Sequence, residues 1–142
     1  PSYTGKGDEG SGVAVSGGKR GKVLLVDDDV YLVRSASIYL EKAGYDVSGA
    51  FSGEEGLKMA LDDPPDIIVL DIDMSPGMSG PETMRKIRAD ERTAGVPIVF
   101  LTAKVDLDAM EAALDDVAQG YLLKPLSGGD LLDKIEEVLS GR

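Results

Sequence analysis

Hydrophobic positions along the chain follow two alternating patterns. Short β-rich runs occur at residues 23–26, 45–50, 67–70, 98–101 and 120–123. The third run has four apolar residues without alternation, which is typical of a strand covered on both faces of a parallel sheet. Between the runs, apolar residues recur at the three- and four-residue spacing of amphipathic helices.

The helical segments also carry start and stop signals. Gly44 suits the left-handed residue that ends a first helix, Pro81 suits the first turn of a third, and Ser127 is the expected N-cap of a fifth. The apolar positions that mark the five helices are Val33, Ala36, Leu40 and Ala43; Leu57, Ala60 and Leu61; Met84 and Ile87; Leu107, Met110, Leu114 and Val117; and Leu131, Ile135, Val138 and Leu139.

Five successive βα units predict an α/β fold. We expect a doubly wound, five-stranded parallel sheet with five helices, a three-layer sandwich of the flavodoxin-like type. Right-handed crossovers would bring the carboxyl ends of all strands to one edge. Residues 1–21 are rich in Gly, Ser and charge and are expected to be a flexible linker, which leaves residues 22–142 as the single domain.

Polar residues stand at the carboxyl ends of four of the predicted strands. Each has an ordinary structural explanation by itself: Asp29 as a helix cap, Thr102 as a strand-end residue and Lys124 as a solvated charge. Their convergence on one edge is harder to explain in that way, because clustered carboxylates repel one another. The residues are Asp27, Asp28 and Asp29 after the first strand, Asp71 after the third, Thr102 after the fourth and Lys124 after the fifth.

The charges at this edge do not balance. Asp27, Asp28 and Asp71 carry three negative charges, and Lys124 returns one. An oxygen-lined pocket with this deficit suits a hard divalent cation, Mg²⁺ or Mn²⁺. Next to such an ion, an ammonium and a hydroxyl, the Asp71 carboxylate is placed to accept a phosphoryl group as a nucleophile.

Composition narrows the function classes. The chain has 142 residues, 42% of them hydrophobic and 29% charged, as expected for one globular domain. Without Cys it has no disulfides or thiolate metal sites, and without His any phosphohistidine must belong to another molecule or segment. The net charge of −11 argues against nucleic acid as a partner. No apolar run approaches membrane-spanning length, so we expect a cytoplasmic domain without membrane contact of its own.

The ordered set LLVDDD, IIVLDIDM, FLTA and LLKP resembles the receiver domain of bacterial two-component response regulators. The resemblance covers residues 22–139, with one motif on each appropriate strand. It implies a phosphoacceptor signalling domain rather than an enzyme in the usual sense, one that supports its own phosphorylation and slow dephosphorylation. By this resemblance Asp71 is the phosphoacceptor, and Asp27 and Asp28 hold Mg²⁺ with Asp71 and the backbone carbonyl of Asp73.

The resemblance also implies a switch. Thr102 would contact the phosphoryl group, Lys124 would be its cationic partner, and Tyr121 would reorient when Thr102 moves. The Lys124–Pro125 bond would be cis, which X-Pro bonds permit. Asp73 and Lys104 would stand over the path of the attacking water, and we expect the two to pair and slow the loss of the phosphoryl group.

One departure from the family pattern stands after the phosphoacceptor. The family reads Asp-x-x-Met-Pro-Gly-x-x-Gly, whereas Ser75 separates Met74 from Pro76 and displaces the last glycine to Gly80. We interpret Ser75 as a one-residue insertion. It leaves Asp71 in place and alters the path of the loop that carries the Asp73 carbonyl.

Two alternatives remain from the sequence. The segment VLDIDMS also resembles the Asp-x-Asp motif of haloacid-dehalogenase-like phosphatases, which would use Asp71 and Asp73. In that family the acidic pair follows the motif, whereas Asp27 and Asp28 precede it. The second alternative is a pseudo-receiver that binds partners without phosphorylation.

The partners implied by the resemblance are proteins. A histidine kinase or a histidine phosphotransfer protein would donate the phosphoryl group, and a downstream protein would bind the face of the fourth helix and fifth strand. A Gly/Ser-rich linker before the domain favours the C-terminal receiver of a hybrid sensor histidine kinase, tethered to a membrane sensor through that linker. A stand-alone regulator is the alternative.

Overall fold

The computed structural model describes residues 20–103 and 120–141. Strands and helices alternate along both segments. The strands are β1 (Lys22–Val26), β2 (Asp46–Ala50), β3 (Ile67–Asp71), β4 (Ile98–Thr102) and β5 (Gly120–Leu123). The helices are α1 (Val30–Lys42), α2 (Gly53–Asp62), α3 (Gly80–Ala89) and α4 (Gly128–Ser140). Among these residues, no helix is both long and apolar enough to cross a membrane.

The five strands form one parallel sheet in the order β2-β1-β3-β4-β5. This order confirms the doubly wound fold. The fourth predicted helix, at residues 107–117, lies outside the described residues. The fifth predicted helix is α4. Asp71 and Thr102, expected just after their strands, are the last residues of β3 and β4.

Alternate residues of the central strands pack into two separate cores. Leu24 and Val26 of β1 face α2 and α3, while Val23 and Leu25 face α1 and α4. Strand β3 divides in the same way, with Ile68 and Leu70 on one side and Ile67 and Val69 on the other. Burial on both faces explains the uninterrupted apolar runs of the sequence.

The predicted helix signals act as caps. The Asp29 carboxylate accepts a hydrogen bond from the Leu32 N–H (3.1 Å) at the start of α1. Ser127 and Asp130 form a reciprocal capping box at the start of α4. Gly44, with φ of +102°, follows the end of α1 in the left-handed region. Asp29 and Ser127 thus fix the starts of α1 and α4 at the carboxyl edge of the sheet, and Gly44 fixes the end of α1 at the opposite edge.

Helix α3 begins in direct contact with β3, the strand that ends on Asp71. A Cβ added to Gly80 would lie 2.2 Å from the Asp71 carbonyl oxygen and 2.8 Å from the Ile72 Cα. Both neighbours are backbone atoms, so neither can rotate away. Only glycine therefore fits between the start of α3 and the end of β3.

We predict that Gly80→Ala lowers the free energy of unfolding by about 2–3 kcal/mol, the upper part of the range for overpacking. The backbone clash has to outweigh the helix propensity that alanine adds, about 1 kcal/mol. Urea denaturation measures the change. Gly95→Ala is the matched control, because nothing lies within 4 Å of its added Cβ, and its effect should stay within about 0.5 kcal/mol. Equal effects of the two substitutions would contradict the prediction.

Candidate phosphoacceptor site

Four strands deliver polar side chains to one end of the sheet. Asp27 directly follows β1, Asp71 ends β3, Thr102 ends β4 and Lys124 directly follows β5. Asp27, Asp71 and Thr102 are 1%, 5% and 1% exposed, so their polar groups are held within the protein rather than in water. The convergence expected from the sequence is present.

The Lys124 ammonium bridges the two buried carboxylates. Its Nζ lies 2.8 Å from Asp27 Oδ2 and 3.1 Å from Asp71 Oδ1. The other Asp27 oxygen, Oδ1, accepts a hydrogen bond from the Asp29 N–H at 2.9 Å. The backbone N–H of Lys124 donates to the Thr102 carbonyl (2.9 Å), which ties the cation to the end of β4. The Lys124–Pro125 bond is cis.

Burial and like-charge repulsion change the protonation of the site. Burial and the charge of Asp27 raise the pKa of Asp71 from 3.8 to about 6, although Lys124 opposes the shift. Burial and the charge of Asp27 also raise the pKa of Asp28. Burial lowers the pKa of Lys124, but its contacts with Asp27 and Asp71 outweigh that effect and raise it. One ammonium thus leaves the carboxylates short of positive charge.

The donor set fits a divalent cation. One carboxylate oxygen from each of Asp27, Asp28 and Asp71 lies within 4.8 Å of the others. Asp27 Oδ2 is buried and forms the ion pair with Lys124, and it accepts no further hydrogen bond within the part of the chain that the structure describes. Asp28 is exposed, so the cluster opens to solvent on one side. Carboxylate oxygens around a partly open position are the ligands that hard divalent ions prefer.

The predicted switch residues occupy two adjacent strands. The Thr102 hydroxyl donates to the Ala103 carbonyl at 3.0 Å. Tyr121 of β5 is partly buried, and its ring stacks on Phe100 of β4 with centroids 6.0 Å apart and planes inclined by 24°. Phe100 pairs with Tyr121 across the two strands. Thr102 and Tyr121 therefore lie on neighbouring, hydrogen-bonded strands, and the ring of Tyr121 stacks on Phe100.

The loop 72–79 carries Ser75, which we interpret from the sequence as an insertion. Asp73 is exposed, and its Oδ1 accepts two hydrogen bonds from Ser75, one from the backbone N–H (3.2 Å) and one from the hydroxyl (3.0 Å). The Ser75–Pro76 bond is cis. Lys104, the expected partner of Asp73, lies outside the described residues. Their pairing stays a prediction, and Ser75 is a partner that the sequence did not reveal.

A second contact of this loop was missed from the sequence. The Met78 N–H donates to Glu54 Oε2 of α2 at 3.1 Å, across 24 positions of the chain. From the sequence, an acid after Gly53 in the first turn of a helix is explained by the helix dipole. Glu55 stands three residues after the N-cap Ser52, the spacing of a capping box, but no local pattern gives Glu54 a partner in the loop. Only the tertiary structure identifies this contact.

The fold and the site define a class of protein: a doubly wound α/β domain with an acidic triad and a lysine at the carboxyl edge of its sheet. The family model described as "Response regulator receiver domain" matches residues 23–136. The chain therefore belongs to the response regulator receiver domain family. Receiver domains of this family are signalling domains of two-component systems.

Curated relatives agree with this assignment. The chain is 39% identical over 117 residues to the transcriptional regulatory protein AfsQ1 of Streptomyces coelicolor, covering 82% of this chain and 50% of that protein. It is 36% identical over 118 residues to the DNA-binding dual master transcriptional regulator RpaA of Synechocystis, covering 83% and 48%. The chain thus spans about half the length of the curated relatives it matches.

Solved structures share the fold. The chemotaxis response regulator CheY4 of Vibrio cholerae superposes with a TM-score of 0.76 at 32% identity, covering 82% of this chain and 97% of that chain. A response regulator receiver domain protein of Clostridium thermocellum superposes with a TM-score of 0.74 at 30% identity, covering 84% and 94%. These structures support the arrangement of the sheet and helices on which the site depends.

We predict that metal-free protein loses stability as the pH rises from about 4 to about 6. The pKa of Asp71, about 6 in the folded state, is above its ordinary value of 3.8, so in this window the folded protein keeps a proton that the unfolded chain has lost. Asp71→Asn removes that titration. It should raise the free energy of unfolding by on the order of 2 kcal/mol at pH 7–8 and have little effect near pH 4.

Urea denaturation of both proteins in a chelating buffer across this pH range measures the difference. A constant gap between wild type and Asp71→Asn from pH 4 to pH 8 would contradict the prediction, because ionisation of Asp71 would then not destabilise the folded protein.

Proposed function

We propose that this domain accepts a phosphoryl group on Asp71 from a phosphohistidine of another protein, with a divalent cation, Mg²⁺ or Mn²⁺, at Asp27, Asp28 and Asp71. The observation that carries the proposal is the buried Asp71 carboxylate in contact with the Lys124 ammonium and within 4.8 Å of two further carboxylates. Membership of the receiver domain family supports it.

The residues of the chain have separate roles in this proposal. An Asp71 oxygen attacks the phosphorus, and the P–N bond to the donor imidazole breaks as the acyl phosphate forms. Lys124 stabilises negative charge on the phosphoryl oxygens, and burial keeps water from competing with Asp71. The cation, held by Asp27, Asp28, Asp71 and the Asp73 carbonyl, would neutralise charge on the transferring group.

The donor has to be a separate histidine-bearing protein or segment, because the sequence has no histidine. A histidine kinase or histidine phosphotransfer protein fits that requirement. The matched segment is about half the length of the curated relatives, and the DNA-binding function in the name of RpaA belongs to that longer protein. For this domain the absence of nucleic-acid contact, the downstream partner on the β5 side, the cytoplasmic location and the hybrid-kinase origin stay predictions.

The phosphatase alternative has no comparable support. It needs Asp73 as a general acid beside Asp71, whereas the Asp73 carboxylate is exposed and accepts two hydrogen bonds from Ser75. A pseudo-receiver would not need the buried contact of Lys124 with two carboxylates. A stoichiometric, cation-dependent phosphorylation of Asp71 would exclude the pseudo-receiver, and the absence of rapid turnover of phosphomonoesters would exclude the phosphatase.

We predict that incubation with acetyl phosphate and Mg²⁺ adds one phosphoryl group to the protein and that Asp71→Asn or chelation abolishes the addition. Intact-protein mass spectrometry measures it. Asp133→Asn is the matched control, because Asp133 is an exposed carboxylate of α4 that should have no part in the reaction. Persistent labelling of Asp71→Asn would assign the site elsewhere, and rapid multiple turnover of phosphomonoesters would favour the phosphatase.

We predict that Thr102 couples the site to Tyr121. A phosphoryl group adds negative charge and acceptor oxygens, so it should draw the Thr102 hydroxyl away from the Ala103 carbonyl and allow the Tyr121 ring to shift on Phe100. Aromatic NMR with and without a beryllium fluoride complex detects the Tyr121 shift. The shift should be lost in Thr102→Ala and kept in Thr102→Ser; an equal shift in Thr102→Ala would disprove the coupling.

A further inference from the structure

The loop 72–79 has its own internal bonds. The Gly80 N–H donates to the Ile72 carbonyl at 2.8 Å and closes the base of the loop. The Gly77 N–H donates to the Met74 carbonyl at 3.2 Å and closes a turn within it. These bonds fix the shape of the loop, but they do not fix its position relative to β1, where Asp27 and Asp28 stand.

Helix α2 fixes the position of the loop relative to β1. The Gly56 Cα packs so closely on β1 that an added Cβ would lie 2.8 Å from a γ-carbon of Val26, the residue just before Asp27. Two residues before Gly56, Glu54 Oε2 accepts the hydrogen bond of the Met78 N–H at 3.1 Å. Glu54 thus connects the loop after β3 to the helix that rests on β1.

The backbone of the loop is also confined on its inner side. A Cβ on Gly53 would lie 2.9 Å from the Met78 carbonyl oxygen, which leaves no room for the loop to move toward α2. Met74 and Met78 are 4% and 9% exposed and anchor the loop in the core. The Glu54 hydrogen bond opposes movement in the outward direction, so contact and hydrogen bond together define one position of the loop.

We propose that Glu54 is a positioning residue for the cation site. Its carboxylate holds the inserted loop, and with it the Asp73 carbonyl, at a fixed distance from Asp27 and Asp28. The proposal rests on the cation site of the proposed function. Residues that orient metal ligands without touching the metal have large effects on affinity. The inserted Ser75 gives the loop an additional residue to order, which increases the need for such a contact.

The adjacent Glu55 offers a matched control. It has the same charge and the same helical turn, but its Oε1 accepts the Phe51 N–H at 2.8 Å and its own N–H donates to Ser52 Oγ at 3.1 Å. Both contacts are local to the start of α2. Glu55→Ala therefore removes a carboxylate and weakens the start of α2, but it leaves the hydrogen bond between Glu54 and the loop intact.

The experiment compares wild type, Glu54→Ala, Glu54→Gln and Glu55→Ala as 142-residue chains. In metal-free protein, amide exchange followed by NMR should be about tenfold faster at Met78 in Glu54→Ala, because a hydrogen bond to a charged acceptor is lost. Calorimetric titration with Mg²⁺ should give an affinity about tenfold weaker for Glu54→Ala. Glu54→Gln keeps an acceptor oxygen and should restore most of both properties, while Glu55→Ala should leave both within about twofold of wild type.

Each outcome decides the proposal. Equal exchange at Met78 in Glu54→Ala and wild type overturns it, as does an equal loss of Mg²⁺ affinity in Glu54→Ala and Glu55→Ala. Faster exchange at Met78 with unchanged Mg²⁺ affinity also overturns it, because Glu54 would then hold the loop without positioning a ligand. If wild type binds no Mg²⁺, the proposed cation site itself fails, and the metal-free exchange still establishes whether Glu54 holds the loop.

Discussion

Mutual repulsion among the carboxylates at the end of the sheet governs the chemistry of this domain. Asp27 and Asp71 are buried beside each other, and Asp28 adds a third charge at the solvent side. The Lys124 ammonium contacts the two buried groups and offsets part of the repulsion. The remaining negative charge favours a divalent cation, and burial together with the charge of Asp27 raises the pKa of Asp71 in the metal-free protein.

The parallel sheet keeps this arrangement from relaxing. β1 and β3 are hydrogen-bonded neighbours with apolar side chains packed on both faces, so the ends that carry Asp27 and Asp71 cannot separate without disrupting two cores. Close packing makes such interiors resist small shifts. The hydrophobic interior thus supplies the stability that holds like charges together. Strand β5 then brings Lys124 to the same edge from the far end of the sequence.

The loop after β3 combines a departure from the family pattern with a compensating set of contacts. Ser75 lengthens the loop, and the same residue binds the Asp73 carboxylate through its amide and hydroxyl. Buried methionines and the hydrogen bond from the Met78 N–H to Glu54 attach the loop to the core and to α2. The loop that carries Ser75, just after Asp71, is therefore held by defined contacts.

Sequence alone determined the βα alternation, the carboxyl edge and the residues gathered there, because hydrophobic period and strand polarity are local properties. Asp71 and the Ser127 cap were predicted for that reason. The tertiary structure decided which groups are in contact: Lys124 bridges two aspartates, and Glu54 rather than Glu55 accepts the hydrogen bond of the Met78 N–H. These contacts join segments that are far apart in the chain. Each depends on the direction of a side chain and the position of its strand or helix. Packing in the folded protein sets both, and no local sequence pattern encodes them.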